Sequence, residues 1–177
     1  NVYGGEFRDI ITFSVLQGLA YICTRRFKRS GIVTGIDRGR CIYTQRKKTD
    51  TPTRMPLLPV VLEIMEIYKD DPQCKNQDCL LPVPSNAKLN AYLKEVADIC
   101  GINKLLTFHI ARHTFATIVT LNNGVPIESV SKMLGHKSIK TSQLYAKILN
   151  RKVSEDMGLL REKFAARDKE KNLRALQ

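Results

Sequence analysis

Only one stretch of the chain, residues 31–57, reads as strand; every other periodic segment repeats at helical spacing. Ile32-Val33, Cys41-Ile42-Tyr43-Thr44 and Thr51–Leu57 are short β-prone runs. Gly35, Asp37–Gly39 and Lys47–Asp50 separate them with turn chemistry. Three short runs with tight connections predict a small antiparallel sheet. The fold class expected is therefore mainly α (α+β): a helical bundle with a small three-stranded antiparallel sheet at one edge. A length of 177 residues suits one domain with at most an appendage.

The helical segments have legible boundaries. Residues 6–21 are apolar on most sides (Phe7, Ile10, Phe13, Leu16, Leu19), as in a central core helix. Pro59 opens a helix to about Tyr68, and a polar loop is expected from Asp70 to Pro84. Ser85 is a good N-cap for a helix whose apolar positions Leu89, Tyr92, Leu93, Val96, Ala97 and Cys100 run before Gly101. Thr107 is expected to cap a helix reaching about Asn122, with Ala111, Phe115 and Ile118 as its core stripe. A short helix follows Pro126 and closes at Gly135, with Met133 among its core positions. The next carries Leu144, Tyr145 and Ile148. Residues 153–177 read as a helical tail with a thin apolar stripe (Leu159, Phe164, Leu173) suited to a partner subunit, and residues 1–152 as the domain proper.

Composition narrows the function. Hydrophobic residues at 43% and charged residues at 26% exclude global disorder. A net charge of +12 points to a polyanion, nucleic acid before an acidic membrane surface. Residues 1–50 contribute +6 and residues 101–150 contribute +5, whereas residues 51–100 carry −2. Two basic blocks, Arg25–Lys48 and Lys104–Lys147, are expected to fold onto one phosphate-tracking groove. No run of about 18 apolar residues offers a membrane span. The start, Asn1–Glu6, lacks a basic leader ahead of an apolar core, and its opening at Asn reads as a piece of a longer protein. Five cysteines, an odd number in no repeating framework, read as free thiols. Cys74 and Cys79 lack a second pair at zinc-finger spacing, so no metal is expected there.

All three histidines lie between positions 109 and 136, within the second basic block. His109 and Arg112 stand at i, i+3 and share a helix face, placed at the edge of a cleft. His113 points about 100° away from Arg112 and reads as a packed structural histidine. Leu134-Gly135-His136 leaves His136 on a turn, and Tyr145 follows nine residues later. These groups suit attack of a tyrosine oxygen on a phosphodiester. The transition state spreads charge over non-bridging oxygens, which the planar Arg fork can meet. A phenol also needs a base or an electropositive pocket to become nucleophilic.

The same residues carry a family likeness. His109-x-x-Arg112, Arg112-His113-Thr114-Phe115-Ala116-Thr117, Leu134-Gly135-His136 and Tyr145 resemble the catalytic domain of the tyrosine recombinases, or phage integrases. The stretch from Lys104 to Tyr145 is especially similar to integrases of Bacteroidetes conjugative transposons. The likeness extends to Gln45–Thr49 and Pro56–Pro59. It implies a site-specific DNA recombinase in which Tyr145 forms a 3′-phosphotyrosyl link. Arg112 and His136 would contact the scissile phosphate, His109 would act as base and acid, and Lys48 would protonate the leaving 5′ oxygen. It implies neither metal nor other cofactor. The implied partners are double-stranded DNA and further copies of the chain in a synaptic tetramer, with no membrane. The implied location is the bacterial cytoplasm, at the nucleoid, and an N-terminal DNA-clamping domain would normally accompany the catalytic one.

One stretch departs from the family. Its usual T-G-L-R-x-x-E/D reads Gln17-Gly18-Leu19-Ala20-Tyr21-Ile22-Cys23, so Ala20 replaces the arginine and Cys23 the acid. The transposon branch resembles G-L-A-Y here, and Arg46, two residues before Lys48, is the expected substitute charge. The loop Arg25–Arg29 is a second source. Two rival readings follow: a DNA-binding module that has lost catalysis through Ala20 and Cys23, and a metal-dependent phosphodiesterase using the three histidines. Position 110 is Ile, however, where a zinc hydrolase helix would carry Glu. If Arg46 supplies the missing charge, Arg46→Ala lowers DNA cleavage far more than Arg25→Ala; equal and mild losses would exclude the compensation.

Overall fold

The computed structural model describes residues 4–36, 38–46 and 51–146, with Met157, Gly158, Arg161 and Phe164 beyond them; for Gln45, Arg46, Thr51 and Ala146 it describes the backbone alone. Helices α1 (Gly4–Gln17) and α2 (Tyr21–Arg26) precede strands β1 (Ile32–Thr34), β2 (Arg40–Arg46) and β3 (Thr51–Pro56). Helices α3 (Pro59–Ile67), α4 (Pro72–Gln77), α5 (Asn86–Ile99) and α6 (Phe108–Thr114) follow. Helices α7 (Ile127–Met133) and α8 (Ile139–Ala146) complete the described domain. The strands form one antiparallel sheet in the order β1-β2-β3, pairing Ile32 with Ile42 and Ile42 with Met55. The expected mainly α fold with a small antiparallel sheet is therefore the observed one.

The packing explains the order. Ile10 and Phe13 of α1 are buried with Ile42 of the sheet, Val61 and Ile64 of α3, Leu89 of α5 and Phe108 of α6 in one apolar cluster. Tyr68 at the end of α3 donates to Asp9 Oδ2 of α1 at 3.1 Å. Burial and this carboxylate push its phenol well above the usual tyrosine range. A second cluster joins Met55, Phe115, Ala116, Val130, Leu134 and Tyr145, and so supports α7 and α8 from β3 and the α6 region. Among the described residues, no helix is long and apolar enough to cross a membrane.

Several boundaries differ from expectation, each for a local reason. Helix α1 ends at Gln17 because Gly18 takes a left-handed φ of +57°. The basic run expected as a loop begins as helix α2, and Arg29 beyond it is a staple: its Nε and Nη2 donate to the carbonyls of Cys79 and Tyr68. The polar segment 70–84 contains helix α4, whose N-cap Asp71 accepts from Cys74 N at 2.9 Å. Ser85 caps α5 as expected, accepting from Lys88 N at 3.2 Å. Thr107 makes no side-chain cap; Asn90 of α5 reaches across to accept from Phe108 N at 2.8 Å. After Thr114 the helix widens into a π-helical turn, Phe115–Thr120, and tightens at Leu121–Asn123. The wider turn alters the phase of the side chains, and Ile118, expected in the core, is 56% exposed. Met133 is only half-buried and Leu144 is exposed, while Ile148 lies outside the described residues.

Gly18 carries a double constraint. Its φ is left-handed, and a Cβ there would stand 2.4 Å from Phe115 Cδ1. Gly124 is also left-handed, at φ +83°, but a Cβ there meets nothing within 4 Å. Gly18→Ala should therefore destabilise the domain more than Gly124→Ala, by about 1–3 kcal/mol of overpacking; urea unfolding of the two variants measures the difference.

Candidate active site

Arg112 is the anchor of the site. It projects from α6 and is buried, at 6% exposure. Its Nη1 donates to the carbonyl of Gly18 at 2.8 Å, and its Nη2 donates to the carbonyl of Leu134. Both acceptors terminate helices. Gly18 follows the last turn of α1, and Leu134 is the C-cap of α7. Carbonyls there have no partner within their own helix and carry the negative end of its dipole, so a buried cation is well matched to them. The i, i+3 spacing had placed Arg112 beside His109 at a cleft edge. The structure corrects this: Arg112 is turned inward, and His109 is exposed.

His136 extends the site. Gly135, at φ +62°, closes α7 and lets the His136 N–H return to the Ser131 carbonyl at 3.0 Å. The half-buried imidazole then lies with Nε2 3.3 Å from Arg112 Nη2 and Nδ1 2.7 Å from Ser142 Oγ. Tyr145 stands one turn beyond Ser142 on α8 and is buried. Its ring stacks on His136, with centroids 6.3 Å apart and planes 12° from parallel. On another side it meets the His113 ring edge-on at 5.2 Å, and His113 meets His109 at 4.8 Å.

His113 is thus not the packed structural residue its helical direction implied. It is exposed and stands between His109 and Tyr145, because α8 crosses the α6 region on the side that His113 occupies. Ser142 also escaped notice. The available signal was its place six residues after His136 and three before Tyr145, where a buried hydroxyl needs a partner.

The departures from the family pattern fall beside the anchor. Ala20 and Cys23 line a cavity of about 20 Å³ together with Arg112, Leu134, Thr44 and Thr53. Thr44 and Thr53 face one another across β2 and β3. The backbone of Arg46 ends β2 opposite Thr51, and its side chain, like the whole of Lys48, lies outside the described residues. Among the described residues no group of three or more His, Cys, Asp or Glu side chains could hold a metal ion.

The family model for the phage integrase family matches residues 33–151, from β1 through the histidines and Tyr145. The chain belongs to that family. Its relatives include "Tyrosine recombinase XerD" of Listeria monocytogenes, 45% identical over 56 residues, which are 32% of this chain and 18% of the relative. "Tyrosine recombinase XerC" of Pediococcus pentosaceus is 36% identical over 63 residues, covering 36% and 21%. The matched segments thus span about a fifth of those relatives. Among solved structures, XerH site-specific recombinase bound to its palindromic difH substrate matches at TM-score 0.65 and 18% identity, covering 88% of this chain and 46% of that one. XerA recombinase matches at TM-score 0.63 and 21% identity, covering 88% and 63%. At these identities the likeness establishes the tyrosine recombinase fold.

Arg112 bridges two helix ends, so its loss strands two buried carbonyls. Arg112→Ala should lower stability by about 2–4 kcal/mol, read as a shift in the urea midpoint.

Proposed function

We propose that this chain is the catalytic domain of a site-specific DNA recombinase, an integrase of a mobile element, acting through a covalent phosphotyrosyl intermediate. The observation that carries this reading is the convergence of Arg112, His136 and Tyr145, from α6, the turn after α7, and α8, on one point. In this reading residues 1–152 are the catalytic domain and residues 153–177 a tail contacting a neighbouring subunit.

The roles follow from the donors each group offers. Arg112 holds five N–H donors in a rigid plane, so a phosphodiester beside it meets a preorganised cation without reorganisation. His136 is the second contact to the non-bridging oxygens. Tyr145 attacks phosphorus; His109 takes the phenolic proton, and Lys48 gives a proton to the departing 5′ oxygen. One phosphoester bond forms as another breaks. The ester therefore keeps the bond for religation, when the 5′ hydroxyl attacks and Tyr145 leaves. Arg46 supplies the charge absent at Ala20. The DNA is double-stranded, and copies of the chain assemble on it as a synaptic tetramer. The setting is the bacterial cytoplasm, at the nucleoid. XerH and the Tn1549 transposon integrase were each solved on DNA, and the family membership makes such a partner the natural one here.

A second reading draws on the cavity beside Arg112, whose walls include Ala20 and Cys23. Without a second cation there, the domain would bind DNA and not cut it.

The discriminating measurement incubates the 177-residue chain with a pool of nicked duplexes of random sequence and resolves SDS-resistant protein–DNA adducts. The expected result is an adduct that Tyr145→Phe eliminates and that His136→Ala slows by roughly 10²–10³-fold. An adduct that survives Tyr145→Phe, or forms only with added metal, would exclude Tyr145 as the nucleophile. Binding without any adduct would favour the second reading.

A further inference from the structure

We propose that Ser142 is a positioning residue that fixes both the ring orientation and the tautomer of His136. The inference rests on the reading of His136 as a phosphate contact and adds to it the group that aims the ring.

Two contacts determine the tautomer. A guanidinium has donors and no acceptor. With Arg112 Nη2 at 3.3 Å, His136 Nε2 must offer its lone pair. A neutral imidazole that accepts at Nε2 carries its proton on Nδ1. That proton points at Ser142 Oγ, 2.7 Å away, which accepts it. Ser142 is fully buried on α8, so its hydroxyl occupies a defined place. The opposite tautomer would set Nε2–H against the Arg112 N–H and lose the shorter Nδ1 donation. Ser142 thus holds the ring with Nε2 turned toward Arg112, where a phosphate oxygen would lie. When a phosphate oxygen takes the Arg112 N–H, Nε2 can take up a proton and donate to that same oxygen without turning the ring, because Nδ1–H stays on Oγ.

The arrangement also couples two catalytic elements. Ser142 and Tyr145 are one turn apart on the same helix, so the bond that aims His136 also fixes α8 against the turn at Gly135. The stacking of Tyr145 on His136 is a consequence of the same placement.

The test uses the full 177-residue chain with ring-¹⁵N histidine. Only three histidines are present, and His136→Gln assigns the third by its loss. Above its titration, wild-type His136 should show a protonated Nδ1 and a bare Nε2. Ser142→Ala removes one buried oxygen; it should shift His136 to a mixture of tautomers and slow adduct formation on nicked DNA by roughly tenfold or more. Identical ring signals in the wild type and Ser142→Ala would overturn the proposal, as would altered ring signals with an unchanged adduct rate. A wild type that forms no adduct would instead remove the catalytic reading, and the ring signals would still decide the Ser142–His136 pairing.

Discussion

The guanidinium of Arg112 ties the ends of two helices that are distant in sequence. Gly18 and Leu134 are separated by more than a hundred positions, yet their carbonyls meet one buried cation. Without it, α1 and α7 would present unpaired carbonyls and the negative ends of two dipoles to each other in a dry interior. With it, the repulsion becomes attraction, and the ends of both helices are located. His136 is placed because it follows Leu134 by two residues, and Tyr145 because α8 packs against the turn that holds His136.

This dependence explains why small residues matter around the anchor. Gly18 must be left-handed to turn its carbonyl toward Arg112, and it must lack a Cβ to let Phe115 pack beside it. Gly135 plays the matching role after α7, its positive φ sending the chain back so that His136 can face the guanidinium. Ala20 and Cys23 stand on the third side, where the cavity beside Arg112 is about 20 Å³.

Local chemistry made much of this legible in advance. The three strands, the Ser85 cap and the chain breaks at Gly101 and Gly135 follow from short-range sterics and hydrogen bonding, which act within a few residues. The proximity of His136 to Arg112 and to Tyr145 was legible as a pattern of residue types. What escaped depended on a neighbour from elsewhere in the chain. Thr107 lost its capping role to Asn90, a residue of the previous helix. Ile118 left the core because the helix widens after Thr114. His113 gained a partner because α8 brings Tyr145 to it.

By itself, then, the amino-acid sequence determined the fold class and the family, since periodicity and motif spacing are properties of neighbouring positions. Only the tertiary structure decided that Arg112 faces inward, that Ser142 aims His136, and that Ala20 and Cys23 border the anchor. The physical reason is that a hydrogen bond or ring contact is chosen by distance in space. Helix period sets which way a side chain leaves its backbone, and the packing of other helices sets what it meets there.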